Sequence, residues 1–176
     1  MHVKYCSHCQ SELIITIPSG DNRERYTCSV CGTIFYQNPL IIAGCIPLYK
    51  ERVLLCRRAI EPRKGYWTLP AGFMENGEST VEAARRETWE EALAKVDIGN
   101  LFSICNIPRL NQVHLYYLAN LPDPEFGVGE ESLEVDLFCE ADVPWQKLSF
   151  STVKQSLQRF FHDRETGQQL LHHIDL

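Results

Sequence analysis

The chain has 176 residues, 44% of them hydrophobic, with eight cysteines and a formal net charge of −6. That length accommodates one proper hydrophobic core and a small appendage, and no stretch is long and apolar enough to serve as a transmembrane helix. The acidic balance speaks against a primary nucleic-acid binder, which needs clustered Lys and Arg, but not against a phosphate-bearing substrate, because bound divalent cations invert the local charge.

The polar start His2–Cys9 and the short apolar run Leu13–Ile17 do not read as a signal peptide. A cytoplasmic protein with reduced thiols and no membrane partner is therefore expected. Cys6-Ser-His-Cys9 and Cys28-Ser-Val-Cys31 are two Cys-x-x-Cys knuckles separated by residues 10–27. That spacing points to a tetrahedral four-thiolate zinc site of the ribbon type, with two disulfides or a redox dithiol as rivals. A segment of residues 1–37 cannot build its own core, and Zn²⁺ would supply the missing folding energy; a closed Cys₄ shell leaves no position for water, so the role is structural. The ribbon's Lys4, Arg23 and Arg25 are balanced by Glu12, Asp21 and Glu24, so it offers no basic face to a nucleic acid.

The composition changes at Asn38-Pro39, which sets the expected boundary between a ribbon (1–37) and a second domain (38–176). The apolar run Leu40–Tyr49 turns at Lys50-Glu51 into Arg52–Arg58, a predicted hairpin. Arg57, Arg58, Arg63 and Lys64 then make a basic loop, read either as a substrate contact through Arg57 and Arg58 or as a solvated surface. Tyr66–Gly72 is a short apolar strand ending in a turn at which backbone can approach a ligand.

A helix is predicted over about 80–95, capped by Ser79 or Thr80, with Val81, Ala84, Thr88, Ala92 and Val96 at helical spacing. On it Glu87, Glu90 and Glu91 stand at i, i+3 and i+4, three like charges on one face. Such a cluster is either a solvated acidic face or a seat for a hard divalent cation. Glu78, ahead of the helix, is placed to hydrogen-bond Arg86 and hold the turn.

Gly72, Glu78, Arg86-Glu87 and Glu90-Glu91, in this spacing, resemble the Nudix box, with Thr88 and Leu93 departing from the usual apolar residue and glycine. Leu93 would force the left-handed helix exit to be made differently or later, with Gly99 as one place for it. The ribbon ahead of the box makes the whole chain similar to the zinc-ribbon branch of that family. The resemblance implies an α/β/α sandwich with a mixed sheet that hydrolyses a nucleoside diphosphate linked to another moiety. It implies Mg²⁺ or Mn²⁺ held by Glu87, Glu90 and Glu91 with the Gly72 carbonyl, oriented by Arg86 and Glu78, and Glu91 or Glu131 as the base. A small nucleotide substrate, ADP-ribose or FAD, would release AMP, and a homodimer is the state many relatives suggest. The alternative is a Nudix-fold sensor that binds a nucleotide without cleaving it and uses the ribbon to contact a partner.

Beyond the helix, Ile98–Ile107 and Val113–Leu121 read as strands joined across Pro108–Gln112, and Pro108 lies close to the place where the resemblance implies a proline in hydrolases of ADP-ribose. The loop Gly127–Glu134 offers Glu131, then Glu134, as the further glutamate. Val135–Phe138 is the last predicted strand, Ser149 or Ser151 starts a final helix, and the tail with His172-His173 is read as a frayed end.

Overall fold

A computed structural model describes residues 3–176; the first two residues of the expected ribbon lie outside the described residues. The chain divides into two units, one ending at Pro39 and one spanning Leu40–Leu176. In the first, strands β1 (Leu13–Thr16), β2 (Arg25–Cys28) and β3 (Ile34–Phe35) form an antiparallel sheet in that order. Asp21 and Arg25, 2.9 Å apart, close the loop entering β2. Cys6 and Cys28 are the buried side chains among this unit's described residues, while Ile14 and Ile15 remain about half exposed. With so little apolar burial, four sulfurs must do what a core would otherwise do.

The second unit is built on a mixed sheet. Its strands are β4 (Leu40–Tyr49), β5 (Arg52–Arg58), β6 (Trp67–Thr68), β7 (Ala71–Phe73), β8 (Asp97–Ile107), β9 (Gln112–Asn120), β10 (Ser132–Phe138) and β11 (His172–Asp175). The main path runs β10-β5-β4-β9-β8-β11, with β4/β9 and β8/β11 parallel and the other pairs antiparallel. Along β5 the side chains alternate between two cores. Val53 and Leu55 pack with Val153, Leu157, Phe160 and Phe161 of helix α2 (Ser151–Thr166), whereas Leu54 and Cys56 pack with Ala83, Ala84 and Ala92 of helix α1 (Thr80–Ala92). A strand buried on both faces explains the unbroken apolar run Val-Leu-Leu-Cys. The result is the α/β/α sandwich with a mixed sheet. No described helix is long and apolar enough to cross a membrane.

The β4/β5 hairpin turns at Lys50, whose φ is 55°. Direct pairing is limited to Leu48 with Val53 and Tyr49 with Arg52; beyond it the strands part, β7 pairing with β4 and β6 with β5. Gly44 is obligatory here, because a Cβ would strike Pro70 and Ala71 of the inserted segment. The gap so opened is where the candidate site lies.

Three expectations are corrected. The last strand of the loop region starts at Ser132 rather than Val135, and a further strand, β11, occupies the tail expected to fray. Ile174 is 3% exposed, His172 lies edge-on to Phe102, and its Nε2 is 2.8 Å from the buried Asp163 carboxylate; these contacts anchor the tail. Finally, α1 ends at Ala92 and makes its left-handed exit at Leu93 itself, with φ 49°, not at Gly99.

Candidate active site

The β7–turn–α1 segment is held by short-range chemistry. Ser79 caps α1, its hydroxyl accepting from the Glu82 N–H while the Glu82 carboxylate accepts from the Ser79 N–H at 2.7 Å, a complete capping box. Thr80 and Tyr117 share a 2.6 Å hydrogen bond that ties the first turn to β9. Gly72, on β7, lies so close to α1 that a Cβ would collide with the Glu87 carboxylate. Thr88 is fully buried with its hydroxyl partnered, donating to the Ala84 carbonyl at 2.7 Å and contacting the Cys45 thiol at 2.9 Å.

Arg86 is the hub. Its Nε and Nη2 donate to both oxygens of Glu78 at 2.6 and 3.0 Å, Nη2 also donates to the Phe73 carbonyl at 3.1 Å, and Nη1 reaches Glu87 at 2.6 Å and Glu90 at 3.1 Å. Two parallel bonds to one carboxylate fix the guanidinium in direction as well as position. This network draws the Glu78 carboxyl down to about 2.

Glu91 is different. It is 6% exposed, and burial, then the Glu87 charge, pushes its carboxyl up to about 8, against the opposing pull of Arg58 and the Ala71 N–H. No described cationic side chain pairs with it. Burial also raises Glu87. Glu87, Glu90 and Glu91 line one wall of a cavity of about 890 Å³ that also receives Gly72, Arg86, Arg58 and Glu131.

Glu78 meets Arg86, as expected, and acts on the cavity only through it, whereas three other expected residues do not line the cavity. Arg57 points away: its Nε donates to the Gly65 carbonyl at 3.0 Å and its Nη1 pairs with Glu134 at 3.3 Å, so neither it nor Glu134 lines the cavity. Pro108 opens a 3-10 turn over Pro108–Leu110 and is exposed, whereas Arg109 after it does line the cavity. Sequence reasoning also missed His114, whose imidazole burial drives down to about 4, and Phe150 at the start of α2. No local pattern marks them, because they reach the cavity from β9 and from the opposite sheet face.

The donor sets can be tested against the expected metals. In the ribbon, Cys6 and Cys31 sulfurs lie 3.6 Å apart, those of Cys9 and Cys28 lie 3.4 Å apart, and all four fall within 4.8 Å of one another as free thiols. A zinc tetrahedron with Zn–S of about 2.3 Å has edges of about 3.8 Å, so the set fits. In the cavity the donors are oxygens, as Mg²⁺ or Mn²⁺ requires, and one is buried without a cation partner. They are not gathered as tightly as the cysteines, because Arg86 holds two of the carboxylates.

The site is thus a sheet split over a carboxylate-bearing helix, with the helix clamped by an arginine. The NUDIX domain family matches residues 39–160 and the Nudix N-terminal family matches residues 4–37; the chain belongs to the Nudix hydrolase family, with its zinc-ribbon extension. A crystal structure of a NUDIX hydrolase from Nitrosomonas europaea is 47% identical, with a TM-score of 0.96 over 99% of both chains. The NAD-capped RNA hydrolase NudC of Chromobacterium violaceum is 36% identical over 94 residues, 53% of this chain, but the chain spans only 33% of that protein. An ADP-ribose pyrophosphatase of Methanocaldococcus jannaschii is 28% identical over 68% of this chain and 72% of its own length.

Proposed function

We propose that the protein is a divalent-cation-dependent pyrophosphohydrolase that cleaves the diphosphate of an adenine nucleotide derivative, ADP-ribose or FAD, and releases AMP. The observation that carries this reading is Glu91, a buried carboxyl without a cationic partner, facing a cavity that also holds Arg58 and Arg109. Acid groups alone would repel a diphosphate; acid groups facing guanidinium groups suit one that arrives with a cation.

Glu87, Glu90, Glu91 and the Gly72 carbonyl are the groups that would hold Mg²⁺ or Mn²⁺. When bound, the cation neutralises diphosphate charge and polarises its oxygens. Arg86, fixed by Glu78, keeps Glu87 and Glu90 in place; Arg109, also on the cavity lining, binds oxygens of the diphosphate. Glu131, exposed at the rim, takes the proton of the attacking water, because Glu91 is committed to the cation. Water adds to one phosphorus, the bridging P–O bond breaks, and two monophosphates leave. The ADP-ribose choice is supported by the relative named for that substrate.

The test is chromatographic product analysis with ADP-ribose, FAD, NADH and NAD-capped RNA, each with and without Mg²⁺. Magnesium-dependent AMP release from ADP-ribose or FAD, lost in Glu90→Gln with the fold intact by circular dichroism, is expected. Binding of a nucleotide without cleavage would replace the hydrolase by a sensor.

A further inference from the structure

The wall of the cavity opposite the carboxylates is made by the start of α2, and its chemistry is that of an anion site. Residues 149–152 all line the cavity. Helix α2 runs for 16 residues with Phe150 at its N-cap, a side chain that cannot accept a hydrogen bond, and its first turn carries no acidic residue. The N–H groups of its first turn have no intrahelical acceptor, and the helix dipole adds partial positive charge there. A bare helix start is common, so two further observations decide.

Ser149, immediately before the N-cap, is 5% exposed, and its Oγ has no hydrogen-bond partner although its own N–H donates to the Trp67 carbonyl at 2.8 Å. A buried hydroxyl without a partner is costly unless a ligand supplies one. Arg58 reaches the same place from β5: its Nε donates to the Pro62 carbonyl at 2.8 Å and its guanidinium stacks on the Phe150 ring at 5.2 Å. That leaves both Nη groups without a carboxylate among the described residues, beside the helix start. The Thr152 hydroxyl is already engaged with Tyr116 at 3.4 Å, so it is not part of the set.

We propose that Ser149, Arg58 and the first-turn N–H groups of α2 form a phosphate subsite on the wall facing the carboxylates, for a phosphate monoester rather than for the diphosphate being cleaved. Only the origin of that monoester rests on the hydrolase reading: it is either a ribose phosphate carried by the substrate or the monophosphate left by cleavage. A monoester suits the set because three donor types converge on one end, whereas a diphosphate needs cations along its length.

The experiment uses the full chain in magnesium-free buffer with inorganic phosphate as the probe. Amide NMR should show saturable shifts at Ser151 and Thr152 in the Glu90→Gln protein, so binding is read whether or not the chain turns over. Ser151→Asp places a carboxylate at the helix start; it should weaken phosphate about tenfold or more while leaving the melting temperature equal or higher, since an acid there favours the helix. Ser149→Ala should weaken phosphate while leaving the melting temperature in phosphate-free buffer equal or higher, since it removes a buried hydroxyl without a partner. Unchanged affinity in both variants, or no saturable shift in the parent, overturns the subsite. Steady-state comparison of ADP-ribose with its 2′-phosphorylated form then separates the sources. A KM lowered by the extra phosphate, and only when residue 151 is Ser, marks a substrate group; equal KM values with competitive inhibition by AMP mark the product.

Discussion

Replacing Glu91 by Gln gives the sharpest test of the electrostatics. The folded chain holds this carboxyl near 8, whereas an exposed glutamate titrates at about 4.3, and that gap corresponds to about 5 kcal/mol. The sign follows from proton counting. Below about pH 4.3 both folded and unfolded chains carry the proton; between there and pH 8 the folded chain keeps it and the unfolded chain does not. Stability therefore falls as pH rises through this window, by up to about 1.4 kcal/mol per pH unit, and the full cost is reached above pH 8. The glutamine has nothing to ionise, so its advantage over the parent should grow from pH 5 to pH 9. Any constant penalty from burying an amide cancels in the difference. Urea unfolding followed by tryptophan fluorescence across that range, in magnesium-free buffer, reads it. Parallel stability curves for the two proteins would refute the buried-acid argument.

Three other perturbations follow from the same geometry. Gly72→Ala drives a methyl group into the Glu87 carboxylate and should cost about 10²-fold in kcat with circular dichroism unchanged, the penalty expected for displacing a positioned group by about 1 Å. Arg86→Lys removes the two-pronged contact with Glu78 and the bond to the Phe73 carbonyl; thermal denaturation should show a loss of about 2 kcal/mol, and activity should not be rescued by added magnesium. Cys28→Ser takes away one of four converging sulfurs; metal analysis should show zinc lost, and the amides of β1–β3 should exchange rapidly with solvent.

What could be read from the sequence was what local geometry determines. The positions of Glu87, Glu90 and Glu91 follow from helical spacing, the cap at Ser79 from its residue type, and the four-sulfur cluster from two knuckles. Arg57 and Arg58 show where that ends. Adjacent residues on a strand face opposite ways, and only the pairing of β5 with β10 determines that Arg57 meets Glu134 while Arg58 turns to the cavity. The α2 wall was invisible for the same reason, since it reaches the site through a gap opened by β6 and β7. Strand β11 was missed because a four-residue edge strand depends on its neighbour, β8, more than on its own composition.

The helix exit carries a last consequence. With Leu93 in place of glycine, the end of α1 is sealed from outside: Gly127 donates to the Ala92 carbonyl at 2.7 Å and Gly129 to the Glu91 carbonyl at 3.1 Å. Gly129 admits no side chain, because a Cβ would strike the Glu90 carbonyl. The loop that bears Glu131 is thus docked on the very turn that bears Glu90 and Glu91. Gly129→Ala should lift this loop and lower kcat by about 10²-fold, the usual worth of a general base, while leaving α1 formed. If the loss arises through Glu131, adding Glu131→Gln to it should cost little more, whereas two independent defects would multiply. Full multiplication of the two effects in kcat would show that the loop does not act by placing the base.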